Sequence, residues 1–366
     1  MLTTTKAIRI AIFNGLDYHY EIWGPILNWY SVTQDVSVPV DIYSVTHLSM
    51  GWFEVYAKCF PALTLNYLPP RTYYAEKFRA YDLVFLPTMM DSFFNHSVLK
   101  RSTTTKRIIA TPHRPWDKIN NMRNIVHLRY MPEWPDNKWA FPIWDLSTFD
   151  AKSLISDLPI IDKSVINVYL ADGGNISYNS KALNEFAKQD NVHFQVVGRR
   201  KSKAWFDDVI PADHLHRNYQ VPAATLIYIM QNCDYFFYGL DDDPLFHEQM
   251  ISGHLSLALC CSTPLICEER TMTALKLESA AVVSYKDSYP VLVKNTVNLK
   301  TAATIEMKKS IEQYKTIVDD VVTQNEDNND PVVTGDADVE WMMWLFSIII
   351  LVVILGAVMR AGRRML

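Results

Sequence analysis

The amino-acid sequence predicts an α/β protein with two parallel-sheet domains, followed by a transmembrane helix near the carboxyl terminus. Three observations support this prediction. The 366 residues are too many for one ordinary hydrophobic core but suit two. Short apolar runs alternate with amphipathic segments in both halves, as strands and crossover helices do in parallel sheets. Residues 341–359 form an uncharged run that is long enough to cross a bilayer.

The first domain is predicted to span residues 1–150. A helix is expected over 18–32, and Pro87 is expected to end the third strand because proline cannot donate a ladder hydrogen bond. Residues 131–163 are rich in Trp and Pro, so they are interpreted as the connection between the domains. The apolar runs predict strands at 8–13, 40–45, 81–86, 107–110 and 125–128.

The second domain is predicted to span residues 151–300. Its apolar runs predict strands at 165–170, 193–197, 235–238, 264–267 and 281–284. Helices are expected between them at 179–188, 223–232 and 253–261.

A last helix, over 301–324, is predicted to pack back across the domains. Its apolar residues are spaced 4-3-4-3, which places one stripe on a single helix face. They are Met307, Ile311, Tyr314, Val318 and Val321. Residues 325–340 are acidic and aperiodic, which predicts a flexible linker to the transmembrane helix, and 360–366 form a basic tail.

The orientation in the membrane follows from two opposing signals. Tryptophans at 341 and 344 suit one interface, and arginines at 360, 363 and 364 suit the other and favour a cytosolic tail. The amino-terminal apolar run is too short for a signal peptide, and the unpaired cysteines suit a reducing compartment. We therefore expect a single-pass protein with a carboxyl-terminal anchor and a cytosolic large domain. A buried soluble helix is the alternative for 341–359.

Composition excludes some classes of function. The formal net charge of −5 gives no basic footprint, so no nucleic-acid partner is expected. The five cysteines are odd in number and lack CxxC spacing, which predicts free thiols and neither a zinc site nor a disulfide framework.

The loop after the first strand carries candidate catalytic residues. Gly15 provides a tight turn, and Asp17, His19 and Glu21 follow it. Ligands of open α/β sheets bind beyond the carboxyl ends of the strands. At that place, His19 can accept a proton from a substrate hydroxyl, with Asp17 or Glu21 orienting it or replacing it. The alternative is an ordinary loop with Asp17 as a helix N-cap.

A second set of candidates lies in the second domain. The Gly173–Gly174 turn lets backbone approach a phosphate, and Lys181 and Arg199 can neutralise a diphosphate. The alternative for the region after Gly198 is a solvated basic turn.

A third set lies between the predicted strands at 235–238 and 264–267. Ser252, Gly253 and His254 open an apolar helix, whose amino terminus suits a phosphate, and Glu248 can accept hydrogen bonds from ribose or sugar hydroxyls. The three acids at 241–243 are interpreted as an acidic turn, because consecutive acids do not face one point, so no metal site is predicted. His113 and Arg114, after the fourth strand of the first domain, are expected in the same cleft.

The order of these elements resembles the nucleotide-sugar-binding domain of the GT-B glycosyltransferases. The segments that carry the resemblance are VYLADGGNISYNSKALNEF, FQVVGRR, AATLIYIMQNCDYFFYG, HEQMISGHLSLAL and TPLIC, in that order within residues 165–285. The resemblance implies two Rossmann-like domains that face each other across a cleft. Together with the predicted membrane anchor, it implies a metal-independent transfer of a sugar from a nucleotide sugar to a glycan, lipid or protein acceptor by a membrane-anchored enzyme, with no separate cofactor.

Two departures from the family pattern keep alternatives open. The second acid of the family's glutamate pair corresponds to Leu257, and Ala182 stands where a glycine is usual. The alternatives are a catalytically inactive GT-B-like interaction protein tethered to a membrane, and an enzyme similar to the nucleotide-sugar epimerases.

Overall fold

The computed structural model describes residues 8–14, 20–45, 50–70, 81–89, 107–112, 125–129, 138–172, 178–198, 205–239, 253–277, 281–294 and 296–327. Within the compact unit Met1–Asn325, these residues form two parallel sheets with helices between the strands. This confirms the predicted class of two parallel-sheet α/β domains.

The first sheet has seven described strands in the order β3-β2-β1-β4-β5-β6-β7. The strands β1 and β2 are buried along their whole length, as strands covered on both faces are, which agrees with the fully apolar sequence of β1. The strands are β1 Ile10–Phe13, β2 Val40–Tyr43, β3 Leu65–Leu68, β4 Leu83–Met89, β5 Arg107–Pro112, β6 Ile125–Arg129 and β7 Lys138–Trp139.

The first helix of the first domain starts later than the sequence predicts. A 3-10 turn, Glu21–Trp23, precedes helix α1, Gly24–Thr33, which has a proline in its first turn, where the missing N–H costs nothing. Helix α2, Trp52–Cys59, follows β2 and was not predicted.

The prediction that Pro87 ends a strand is wrong. β4 continues to Met89, and its pairing with β5 shifts by one residue between Leu86 and Met89. Such a bulge leaves one residue of the strand outside the ladder, so a residue without an N–H is tolerated there.

The second sheet has six described strands in the order β10-β9-β8-β11-β12-β13. They are β8 Ile166–Asp172, β9 Val192–Gly198, β10 Leu215–Tyr219, β11 Tyr235–Phe237, β12 Leu265–Glu268 and β13 Val282–Tyr285. The helices are α3 Ser180–Ala187, α4 Ala223–Asn232, α5 Gly253–Cys260 and α6 Glu269–Ala274. All the predicted strands and helices of this half are present within three residues, whereas β10 and α6 were not predicted.

The segment between the sheets contacts both domains. The indole of Trp144 occupies the space beside Gly24 in α1, and the Trp144 backbone N–H points to the sulfur of Cys260 in α5 at 3.4 Å. The backbone N–H of Leu146 donates to the carbonyl of Cys260 at 2.9 Å. Trp144 therefore packs between the two domains.

The last helix, α7, spans Val297–Asp327. Thr304 Oγ1 in its first half donates to Ser262 Oγ of the second domain at 3.0 Å. In its second half, Gln313 donates to the carbonyl of Trp139 at 2.7 Å, and Asp319 accepts from Trp29 Nε1 at 2.8 Å. The predicted stripe faces inward, with Met307, Tyr314, Val318 and Val321 buried and Ile311 half-buried.

The predicted transmembrane segment 341–359, the linker beyond residue 327 and the basic tail lie outside the described residues. In the part of the chain that the structure describes, no helix is both long and apolar enough to cross a membrane. All five cysteines are free thiols.

Candidate active site

The two sheets share one topological feature. In each, the chain starts in the middle of the sheet, moves to one edge and then returns to the other side of its first strand, between β1 and β4 and between β8 and β11. At such a switch point the connections leave in opposite directions and open a crevice beyond the carboxyl ends of the strands. The residues that follow β1 and β8 are therefore the best candidates for a ligand-binding site.

Glu21 from the first domain meets Gly253 from the second at these crevices. A Cβ built on Gly253 would overlap Oε1 of Glu21 and would lie 3.1 Å from its Cδ. Glu21 lies on the connection after β1, and Gly253 is the first residue of α5, which follows β11. Two residues predicted separately, one as catalytic and one as donor-binding, thus lie in contact.

Aromatic packing fixes the backbone that carries Glu21. The hydroxyl of Tyr56 in α2 donates to the carbonyl of Tyr20, and the Tyr20 hydroxyl donates to the carbonyl of Val45 at 2.6 Å. The Trp23 ring stacks on those of Tyr56 and Phe53, with centroids 6.0 Å apart in each pair. Burial, with the nearby Glu21 charge as a further cause, raises the pKa of Tyr56 well above its usual value, so this hydroxyl stays protonated.

His254, the second residue of α5, is hydrogen-bonded to a residue of the second sheet. Its Nδ1 lies 2.7 Å from the hydroxyl of Tyr169, a fully buried residue in the middle of β8. The two ring centroids are 5.6 Å apart. Burial raises the pKa of Tyr169 well above the usual value, so the phenol keeps its proton.

The residues on both sides of the predicted glycine turn are anchored, although Gly173 and Gly174 themselves lie outside the described residues. The Tyr178 hydroxyl donates to the Ala171 carbonyl at 2.7 Å, and the Asn179 backbone N–H donates to the Gly239 carbonyl at 2.9 Å. These bonds fix where the chain leaves β8 and where it enters α3. Lys181 is exposed in the first turn of α3, at this same edge of the sheet.

Gly198, at the carboxyl end of β9, approaches the neighbouring strand closely. A Cβ there would lie 2.7 Å from both the Cβ and the carbonyl oxygen of Asp172 in β8. The requirement for glycine at the end of the FQVVG segment is therefore steric.

Asn179 and Glu268 belong to the candidate site, although the sequence did not single them out. Asn179 Oδ1 caps α3 by accepting from the Ala182 N–H at 3.0 Å, and its Nδ2 donates to Glu268 Oε1 at 3.0 Å. Glu268 ends β12, and its other oxygen pairs with Arg270 Nε at 2.5 Å. An N-cap signature, Asn before Ser-Lys-Ala, was the available sequence signal for Asn179.

The structure thus brings together Glu21, Gly253 and His254, and it places Lys181 at the same edge of the second sheet. The other predicted site residues lie outside the described residues. They are Gly15, Asp17, His19, His113, Arg114, Gly173, Gly174, Arg199, Glu248 and Ser252. Among the described residues, no group of three or more His, Cys, Asp or Glu side chains could hold a metal ion.

Comparison with known proteins gives matches in structure alone. No protein-family model and no curated protein matches the chain. An alpha-glucosyltransferase solved with UDP and a 13-mer DNA containing an A:G mismatch has a TM-score of 0.51 at 10% identity, over 87% of this chain and all of that one. The alpha-glucosyltransferase with UDP has a TM-score of 0.50 at 9% identity, with the same coverage.

The chain has the GT-B fold. A third match, the glycosyltransferase SnogD from Streptomyces nogalater, has a TM-score of 0.44 at 11% identity, over 87% of this chain and all of that one. The first two matches therefore confirm the predicted resemblance at the level of the fold of the chain.

Proposed function

We propose that this protein is a glycosyltransferase that moves a sugar from a nucleotide-sugar donor to an acceptor hydroxyl. The contact between Glu21 and Gly253 supports the proposal most strongly, because it brings a carboxylate of one domain to the helix start of the other inside a GT-B fold. Uridine diphosphate is the first nucleotide to test, because the two alpha-glucosyltransferase structures named above contain UDP.

The second domain would bind the donor. The first turn of α5, with Ser252, Gly253 and His254, offers backbone N–H groups and the positive end of the helix to the diphosphate. Gly173 and Gly174 would let the backbone approach it, Lys181 and Arg199 would balance its charge, and Glu248 would accept hydrogen bonds from hydroxyls of the donor. Lys181 is exposed and available to a ligand at this edge.

The first domain would present the acceptor, with Gly15, His113 and Arg114 on the acceptor side of the cleft. In an inverting transfer, the acceptor oxygen attacks the anomeric carbon and gives its proton to a base, His19, Asp17 or Glu21. The bond from the anomeric carbon to the phosphate oxygen breaks, and the nucleoside diphosphate leaves with the electron pair. Glu21 would either be this base or orient it, because its carboxylate lies beside the helix start that would hold the leaving group.

The reaction is proposed to be metal-independent, with cationic side chains and the start of α5 stabilising the leaving group. Removal of divalent ions tests this. Activity that survives EDTA supports the proposal, and activity that returns only with added Mg²⁺ or Mn²⁺ contradicts it.

Residues 341–359 are proposed to anchor the protein in a membrane, with the large domain in the cytosol. Their uncharged composition and the flanking tryptophans and arginines support this. Full-length protein should stay in the membrane pellet after alkaline carbonate extraction and pass to the supernatant in detergent. Protease added to sealed vesicles then reports the side on which the large domain lies.

The acceptor is proposed to be a glycan, lipid or protein, and the net charge of −5 supports the exclusion of nucleic acid. One of the structures compared above holds a 13-mer DNA. Duplex DNA therefore belongs in the acceptor panel, and glucose transfer to it would overturn the exclusion.

The deciding experiment is calorimetric titration of the full chain in detergent micelles with UDP, GDP and CMP, followed by hydrolysis of UDP-glucose. We expect UDP to bind and Lys181→Ala to weaken that binding. Lys188→Ala is the matched control, because Lys188 follows the other end of α3 and pairs with Glu185 at 2.6 Å. If none of the three nucleotides binds, the proposal fails, and release of an epimerised sugar would favour the epimerase alternative.

A further inference from the structure

Tyr169 is a fully buried residue of the second domain, and its hydroxyl reaches a predicted donor-binding side chain. It is 0% exposed, and its neighbours in the sheet are Gln195 of β9 and Phe236 of β11. Its ring packs edge-on against Phe236, with centroids 5.6 Å apart and planes at 75°. This packing holds the ring still, so the position of the hydroxyl is set by the sheet.

The hydroxyl meets the imidazole of His254 at Nδ1, with the oxygen 2.7 Å from the nitrogen. Since burial keeps the phenol protonated, it can donate its hydrogen to a neutral imidazole. A bond donated to Nδ1 leaves the imidazole proton on Nε2, because a neutral imidazole has one N–H and one acceptor nitrogen. Nε2 then lies on the side of the ring away from Tyr169, and the His254 side chain is partly exposed on α5.

We propose that Tyr169 is a positioning residue that fixes His254 as the Nε2–H tautomer, so that this N–H donates to a diphosphate oxygen of the donor. This inference rests on the proposed function and assigns the substrate group that His254 recognises. The sheet would supply the orientation before the ligand arrives, and the ligand would then not have to order the ring.

Two features make this pair more than ordinary core packing. A buried tyrosine hydroxyl can be satisfied by a backbone carbonyl, as Tyr235 is by the carbonyl of Val293 at 2.9 Å. Tyr169 instead reaches a titratable ring in the first turn of a helix at the topological switch point. Ligands of open α/β sheets bind at that place.

The test combines a tautomer measurement with a binding measurement on the full chain in detergent micelles. Nitrogen-15 NMR of imidazole-labelled protein should show His254 as the Nε2–H tautomer, with the signal assigned by its loss in His254→Ala. In Tyr169→Phe, the signal should shift toward a mixture of tautomers, and UDP affinity should fall about tenfold, as expected for a poorly aligned hydrogen bond to a charged group. Tyr235→Phe is the matched control, because it loses a buried hydroxyl bond of the same sheet without touching His254.

The outcomes are separable. An Nδ1–H tautomer in the unmodified protein overturns the inference, whether or not Tyr169→Phe folds. Equal UDP affinity of Tyr169→Phe and Tyr235→Phe, both weaker than that of the unmodified protein, would mean that the loss is structural and would also overturn it. If UDP does not bind to the unmodified chain, the proposed function fails, and with it the assignment of the diphosphate. The NMR result then still decides whether Tyr169 sets the tautomer.

Discussion

The side chain of Glu21 fills the space that any side chain at position 253 would need. These two residues are 232 positions apart in sequence and belong to different domains, yet only glycine at 253 permits their contact. The contact links the connection after β1 to the start of α5, so it ties the two switch points of the molecule together.

Gly253→Ala should destabilise the protein by about 1–3 kcal/mol, the usual cost of adding a methyl group to a packed site. The three atoms nearest to the new Cβ all belong to the Glu21 side chain. Glu21→Ala should therefore restore most of the lost melting temperature in the double variant. Equal melting temperatures for Gly253→Ala and the unmodified protein would contradict the contact.

Gly198→Ala should lower the free energy of unfolding by a similar amount, about 1–3 kcal/mol. A second substitution that removes the Asp172 side chain should not restore all of this loss. The added Cβ would meet the carbonyl oxygen of Asp172 as well as its Cβ, each at 2.7 Å. Asp172→Gly removes the side chain and leaves the carbonyl in place. Chemical denaturation of the single and double variants tests this, and full recovery in the double variant would show that the backbone of β8 does not restrict position 198.

The predictions from sequence succeeded for the central strands and missed three of the four edge strands of the described sheets, for a physical reason. Central strands such as β8 are covered on both faces, so they are nearly continuous apolar runs. The three missed strands, β3, β7 and β10, each pair on one side in the described sheets and are only partly buried, and their sequences LNYL, KW and LHRNY show no apolar run. Such an edge strand forms by pairing with the adjacent strand, and its own sequence does not predict that pairing.

The residues of the candidate site also divide into those that the sequence predicts and those that it does not. Glu21, Gly253 and His254 could be selected because they lie just after predicted strands or at a predicted helix start. Tyr169 could not, because its sequence position is that of an ordinary core residue and its role depends on which helix crosses above it. Sequence position predicts which residues lie at the end of a strand, whereas the contact between Tyr169 and His254 depends on how the helix packs on the sheet.

Asn179 should contribute through two separate bonds, and two variants can distinguish them. Asn179→Asp keeps an oxygen that caps α3 but replaces the donor to Glu268 with a second carboxylate oxygen. Asn179→Ala loses both bonds and should cost about 1–2 kcal/mol of unfolding free energy, typical of a lost N-cap. We expect Asn179→Asp also to destabilise the protein, because two carboxylates would face each other. If Asn179→Asp is as stable as the unmodified protein in chemical denaturation, the bond to Glu268 does not contribute.

The stability of the protein should fall on acidification through His193, which lies in a cluster of three histidines at the second sheet. The His193 ring lies 4.8 Å from that of His214 and 5.5 Å from that of His216. Burial, followed by the charges of His214 and His216, lowers the pKa of His193, and the carboxylates of Asp162 and Asp213 oppose this.

Because the folded-state pKa lies below the unfolded value, the unfolded chain binds more protons. The contribution of His193 to the free energy of unfolding is therefore present above about pH 6.5 and is lost as the pH falls below this value. Melting temperatures measured from pH 8 to pH 5.5 should decline less steeply in His193→Gln. An unchanged slope would mean that His193 titrates as it does in the unfolded chain.

Two adjacent aspartates of α7 should differ sharply in their effect on stability. Asp319 accepts a hydrogen bond from Nε1 of Trp29, a residue only 1% exposed, at 2.8 Å. Asp320 forms an ion pair with Lys138 at 3.4 Å, and its side chain is 55% exposed. Asp319→Ala would leave a buried indole N–H without its partner and should lower the free energy of unfolding by about 1–3 kcal/mol. Asp320→Ala should cost less than about 1 kcal/mol because solvent and salt screen the pair. Equal losses in the two variants, measured by urea denaturation, would mean that α7 is held by its apolar stripe and gains nothing from the bond to Trp29.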